Sequence, residues 1–220
     1  MKTVILFDLD GTLIDSTEAI LESFHKAFEV LEFNFQGSNE DIKKEIGYPL
    51  DIMFPNLGVN KDEVSKYVDA YKEHYRTISE AKTILLKDAL EAVKLANEFA
   101  TLGVVTTKTT KYSIPLLENF NIYQYFDVVI GRQEVENPKP HPEPIFKAME
   151  GLNITANSHN IFMIGDTKLD LIAAKEAKIK GVGVTCGYGT KEELNKYTKL
   201  LYQSSLEAVK NIQNNIQNNI

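Results

Sequence analysis

The sequence has 220 residues, room for one large domain or for a domain with a modest second lobe, and its 43% hydrophobic and 25% charged content is that of an ordinary globular chain with a real core. A formal net charge of −7 disfavours nucleic acid as a partner, which requires a basic footprint, but leaves anionic small molecules open, because a metal ion or one lysine reverses the field of a pocket locally. The single cysteine, Cys186, excludes an internal disulfide and suits a reducing compartment.

In chain order, the opening MKTVILFD reads as a strand and not as a secretory leader, since its apolar run ends before Asp8 and no small-residue cleavage site follows. No apolar stretch approaches a membrane span, so the expectation is a cytoplasmic protein without a membrane partner. TVILF (3–7) is short, apolar and partly β-branched, the signature of a strand buried on both faces in a parallel sheet. Residues 15–83 break this rhythm. Ile20, Phe24, Ala27, Phe28 and Leu31, then Val64, Tyr67, Val68 and Tyr71, follow helical spacing, and no convincing strand intervenes. This predicts an all-helical insert above the carboxyl end of the first strand. Residues 84–87 then lead back to a region where strands LGVVT (102–106), FDVVI (126–130), NIFMIG (160–165) and GVGVT (181–185) alternate with helical patterns on Ala89, Leu90, Val93, Ala96 and Phe99, on Ile145, Ala148 and Met149, and over about 169–178. Such alternation predicts an α/β fold with a Rossmann-like parallel sheet. The expected division is a core of 1–14 and 84–210, a helical cap of 15–83, and a low-complexity tail of 211–220. In that tail, NIQNNIQNNI spaces its isoleucines to extend a last helix or else to fray.

Ligands of open α/β sheets bind outside the carboxyl ends of the strands. The first strand ends at Asp8, with Asp10, Gly11 and Thr12 just beyond. The second main strand ends at Thr106, before Thr107 and Lys108. NIFMIG runs into Asp166 and Asp170, and the proline-rich NPKPHPEP stiffens a loop around Lys139. Carboxylates facing one spot repel, so a cation belongs between them, and an all-oxygen donor set suits Mg²⁺. Metal, lysine and hydroxyl together form a phosphate-binding constellation. One carboxylate can attack phosphorus while another, two residues on, handles the proton. Taken singly, these residues have plainer readings: a strand terminus and helix cap for Asp8 and Asp10, a backbone-satisfied hydroxyl for Thr106, a surface lysine for Lys139, and a favourable first-turn carboxylate for Asp170. His25 and His141 lack a second histidine at ligand spacing. The pair Asp166 and Asp170 contains none, which argues against zinc.

DLDGT at 8–12, the threonine at 106, NPKPHPEP around Lys139 and GDTKLD at 165–170 together resemble the four motifs of the haloacid dehalogenase-like hydrolases, in the right order, over residues 2–208. The likeness is to the phosphoglycolate phosphatase and pyrophosphatase branch. It implies Asp8 as nucleophile and metal ligand, and Asp10 as general acid/base that also offers its backbone carbonyl to Mg²⁺. It further implies Thr106, Thr107 and Lys139 as phosphate-binding, Asp166 as metal ligand, and Thr12 and Asp170 as support. The segment around Gly47, Tyr48 and Pro49 resembles the cap stretch that faces the substrate; its plain reading is an interhelical turn. Two departures stand out: Thr107 replaces an asparagine common in the phosphoglycolate phosphatases, and Lys168 occupies a variable position of the fourth motif. The implied activity is Mg²⁺-dependent hydrolysis of a small phosphate ester (phosphoglycolate-like, sugar phosphate, nucleotide or pyrophosphate) through an aspartyl-phosphate, in a monomer or homodimer. Two alternatives are a β-phosphoglucomutase-like phosphotransferase, disfavoured by Ile20 where that branch carries histidine, and a non-catalytic phosphate- or partner-binding module. Dehalogenases lack the second aspartate and need no metal. A phosphonate hydrolase needs a cap lysine, and nothing around Lys43 or Lys44 suggests one with a lowered pKa.

Overall fold

The structure, a computed structural model, describes residues 2–155 and 159–217. The chain runs β1 (Lys2–Phe7), β2 (Ile14–Asp15), α1 (Thr17–Val30), α2 (Asn39–Lys43), α3 (Leu50–Asn56), α4 (Val64–Ile78), β3 (Ile84–Leu85), α5 (Ala89–Asn97), β4 (Ala100–Val105), α6 (Thr110–Asn119) and β5 (Val128–Ile130). It continues α7 (Glu143–Gly151), β6 (His159–Gly165), α8 (Lys168–Glu176), β7 (Lys180–Val184), α9 (Lys191–Leu194), β8 (Leu201–Tyr202) and α10 (Ser205–Gln217).

Six strands form one sheet in the order β5-β4-β1-β6-β7-β8, every pairing parallel. The strands are apolar runs because both faces are covered. Ile5 and Phe7 of β1 pack with α5 and α10 on one side, while Val4 and Leu6 pack with α7 and α8 on the other. The sheet therefore has the doubly covered α/β architecture that the alternating pattern predicts. β1 lies between β4 and β6, so the chain leaves the first strand towards one half of the sheet and later returns to build the other. Ligand clefts open at such a switch point.

Several boundaries differ from the sequence reading: β4 starts at Ala100 and ends at Val105, so Thr106 lies just past it, and β7 ends at Val184, one residue before Thr185. Phe126 lies outside β5: a tight turn over Tyr123–Tyr125 precedes it, and its ring packs edge-on to Phe7 at 6.2 Å. β8 has only two residues, too short for a periodic signal.

Between β2 and β3 the helices α1 to α4 enclose a core of their own, built from Phe24, Phe28, Phe54, Tyr67, Tyr71 and Tyr75. The aromatic rings of Phe24 and Phe54 lie 4.6 Å apart, and Tyr71 stacks on Tyr75 at 5.5 Å. The two chain crossings into this lobe pair as an antiparallel ribbon, Ile14 opposite Leu85 and Asp15 opposite Ile84. The Asn-rich stretch after residue 210 continues α10 through Gln217, with Ile212 buried and Ile216 packed against the sheet core. Residue 210 thus marks no structural boundary; residues 218–220 of the expected tail lie outside the described residues.

Candidate active site

Asp8 follows the last residue of β1. Its backbone N–H donates to the Ile164 carbonyl at 2.9 Å, so the central strand fixes its position, and the side chain is buried. Gly11 then turns the chain with φ +81°, and a Cβ there would lie 2.3 Å from Asp166 Oδ2. That close approach lets the Thr12 hydroxyl donate to Asp166 Oδ1 at 3.0 Å. The backbone N–H of Tyr188 donates to Asp166 Oδ2 at 2.8 Å. Gly187 is required for the same reason as Gly11, since its Cβ would meet Asp166 Oδ2 at 2.1 Å.

Lys139 reaches this cluster from the loop before α7. Its ammonium donates to Asp8 Oδ1 at 2.8 Å, Asp170 Oδ1 at 2.5 Å and the Val105 carbonyl at 2.9 Å. Asp170 also caps its own helix, with Oδ2 accepting from the backbone N–H and the hydroxyl of Thr167 at 3.0 and 2.8 Å. The loop is anchored by Glu143, which accepts from the backbone N–H groups of Glu136 and Asn137.

Carboxylate oxygens of Asp8, Asp166 and Asp170 lie within 4.8 Å of one another, all three residues buried. Burial pushes the Asp8 carboxyl up; Lys139 opposes the rise and Asp170 adds to it. Asp166 is pushed up by burial and then by the charges of Asp8 and Asp170. Such a cluster is short of positive charge. Its all-oxygen donors fit a hard divalent cation, which would return Asp8 and Asp166 to the ionised form.

Asp10 stands outside that triad. One oxygen accepts from the Ser16 hydroxyl, and the other lies 3.2 Å from the Lys108 ammonium. Thr106, buried at the end of β4, accepts the Lys108 backbone N–H at 3.1 Å on its hydroxyl. Thr107, the departure noted above, donates its hydroxyl to the Gly47 carbonyl of the helical lobe at 3.0 Å. Asp8, Asp10, Thr106 and Thr107 open into a cavity of about 360 Å³ whose far wall includes Gly47, Tyr48, Pro49 and Ile20. The structure therefore gathers the sequence-selected residues at one sheet edge, with Lys139, Asp166 and Asp170 beneath Asp8.

His25 is instead bonded to Asn39, and the His141 ring nitrogen accepts the Glu143 N–H at 3.2 Å. Lys168 pairs with Glu193 at 3.0 Å. Sequence reasoning gave no role to Ser16, Tyr75, Lys108, Gly187 or Tyr188. Lys108 directly follows the threonines of the second motif, and that adjacency was the one signal available.

The model of the haloacid dehalogenase-like hydrolase family matches residues 5–184. The chain is 34% identical to the pyrophosphatase PpaX of Halalkalibacterium halodurans over 190 residues, 86% of this chain and 85% of that protein. It is 31% identical to a phosphoglycolate phosphatase of Salmonella paratyphi A over 216 residues, 86% and 84% of the two chains. A solved haloacid dehalogenase-like hydrolase from Streptococcus pneumoniae superposes with a TM-score of 0.85 at 28% identity, covering 96% of this chain and 98% of that one.

Proposed function

The chain belongs to the haloacid dehalogenase-like hydrolases and is a phosphatase of that family, and from this premise we propose that it hydrolyses a small phosphate ester through an aspartyl-phosphate on Asp8. One observation carries the reading. Asp8 directly follows the central strand, faces the cavity, and lies 2.8 Å from Lys139 within a buried carboxylate cluster. A nucleophile on a rigid element, beside a cation that can hold a phosphoryl oxygen, is what in-line attack requires.

In this mechanism an Asp8 oxygen bonds to phosphorus as the bond from phosphorus to the leaving oxygen breaks, and Asp10 gives that oxygen a proton. Water, deprotonated by Asp10, then attacks phosphorus, frees inorganic phosphate and restores Asp8. Thr106, Lys139 and the Thr107 backbone N–H hold phosphoryl oxygens. Asp170 keeps Lys139 in place, and Thr12 orients Asp166. Asp8, Asp166 and the Asp10 carbonyl would hold Mg²⁺, which supplies charge neutralisation at the phosphoryl group. The six-stranded sheet and the helices packed on it, α10 included, serve as the catalytic core. The lobe of 15–83 serves as a cap that excludes water over the cavity, with Gly47, Tyr48 and Pro49 facing the leaving group.

A cavity of about 360 Å³ favours a small substrate, and two relatives are named for phosphoglycolate and pyrophosphate. Ile20 in the cavity wall offers no proton-transfer group to a sugar hydroxyl, which favours hydrolysis over phosphotransfer within the substrate.

Rapid quenching with ³²P-labelled substrate tests the assignment. Label is expected on wild type and on Asp10→Asn, and none on Asp8→Asn. Label on Asp8→Asn at the wild-type level would put the nucleophile elsewhere.

A further inference from the structure

Lys108 has no part in the mechanism above, yet it joins the two halves of the site. Its side chain is 9% exposed. Its ammonium lies 3.2 Å from Asp10 Oδ2 and donates to the Tyr75 hydroxyl at 2.8 Å, standing 4.5 Å from the centre of that ring. Asp10 belongs to the loop past β1, so unlike Asp8 it is not held by the sheet. It depends on side-chain partners, and these are Ser16 and Lys108. Tyr75 comes from α4 and is itself fixed, buried between Tyr71 stacked at 5.5 Å and Tyr112 edge-on at 5.6 Å. A buried ammonium persists only when paired and hydrogen-bonded, and here one partner belongs to the loop after β1 and the other to the helical lobe.

We propose that Lys108 is a positioning residue for Asp10, and that Tyr75 holds Lys108 in that role, so that seating of the helical lobe and alignment of Asp10 are one event. The backbone supports this. The neighbouring Thr107 hydroxyl donates to the Gly47 carbonyl as the Lys108 ammonium donates to the Tyr75 hydroxyl, so this segment meets the lobe at two points, while the Lys108 N–H, bonded to the Thr106 hydroxyl, ties it to the end of β4. Burial by itself disfavours the ammonium, but Asp10 and the Tyr75 hydroxyl outweigh it and keep Lys108 charged. The proposal rests on the phosphatase reading with Asp10 as acid/base, and its test separates the two.

The measurement is kcat/KM for p-nitrophenyl phosphate, phenyl phosphate and an alkyl phosphate in wild type, Lys108→Met, Tyr75→Phe, Asp10→Asn and the double variant Lys108→Met/Asp10→Asn. p-Nitrophenolate leaves with little protonation, so a misplaced Asp10 penalises the alkyl ester most. Lys108→Met is expected to lose roughly ten- to a hundredfold more on the alkyl than on the p-nitrophenyl ester. Tyr75→Phe, which removes one hydroxyl and keeps the ring packing, should show the same trend more weakly. In the Asp10→Asn background, Lys108→Met should cost nothing further, because Lys108 acts through Asp10. Multiplying losses in the double variant would make Lys108 a direct substrate contact and overturn the proposal. So would an equal loss on all esters, a gain on the alkyl ester, or a Tyr75→Phe profile identical to wild type. If Asp10→Asn itself shows no leaving-group dependence, the acid/base reading of Asp10 falls, and this proposal with it.

Discussion

The ammonium of Lys139 lies 2.5 Å from Asp170 Oδ1, with neither side chain more than 2% exposed. A lysine buried among carboxylates holds the cluster together, and removing it strands unpaired charge. Lys139→Met is expected to cost about 3–5 kcal/mol in chelator-treated buffer, the usual penalty for breaking a buried pair from one side. Added Mg²⁺ should restore part of that loss, since a cation binding only the folded state stabilises it. Denaturant titrations with and without Mg²⁺ check this. A variant as stable as wild type without metal would mean that the cluster is neutral and needs no counter-charge.

Metal removal should separate stability from turnover. EDTA is expected to abolish hydrolysis, and excess Mg²⁺ to restore it. Mg²⁺ should raise the melting temperature of wild type but not of Asp166→Asn, which lacks the carboxylate held by Thr12 and Tyr188. Full activity after chelation, or an equal thermal shift in both proteins, would exclude Asp166 as a ligand.

Tyr48 lines the cavity beside Gly47, whose carbonyl receives the Thr107 hydroxyl at 3.0 Å. Tyr48→Ala should reorder a panel of small phosphate esters by kcat/KM while altering p-nitrophenyl phosphate turnover less. An unchanged ranking would place specificity elsewhere in the lobe.

Asp41 gives a pH dependence of known sign. The Ser38 backbone N–H and hydroxyl, donating at 2.9 and 2.8 Å, and then Lys44 at 3.0 Å, hold its carboxyl at about 2, below the ordinary 3.8. Between those values the unfolded chain binds more proton than the folded one. The stabilisation is therefore complete above the ordinary value and lost as pH falls towards about 2. Asp41→Ala should lower the denaturation midpoint at neutral pH, with the gap closing over that acid window. A gap that stays constant down to the acid limit would show that the carboxylate charge contributes nothing.

Much of this architecture can be read from the sequence because burial on two faces leaves uniform apolar runs, as in residues 3–7. Asp8, Asp166 and Lys139 are legible for a related reason: each sits at a strand end or in a proline-stiffened loop, where local sequence fixes direction. Lys108 and Tyr75 are not legible. They are 33 positions apart and meet only when α4 seats over the sheet, so no local pattern links them. Gly187 and Tyr188 escape for the same reason, 22 positions beyond Asp166 in the case of Tyr188. β2, β3 and β8, with two residues each, carry too few side chains for any period to register. The isoleucine spacing after residue 210 leaves helix or fraying open, and Ile212 and Ile216 finding the core, a tertiary event, decides for the helix.

The β2–β3 ribbon gives the helical lobe adjacent points of entry and exit. Ile14 faces Leu85 and Asp15 faces Ile84, one strand spacing apart, roughly 5 Å. A polypeptide that departs and returns at neighbouring positions asks nothing of the fold beneath except those two short edges. Lobes of other lengths and contents could be spliced onto the same ribbon without disturbing the six-stranded sheet, provided each presents a hydroxyl or comparable group to Lys108. Under the proposed function, the fold separates two evolutionary problems, choosing a molecule and breaking its bond, and lets the first be reworked while the second stays put.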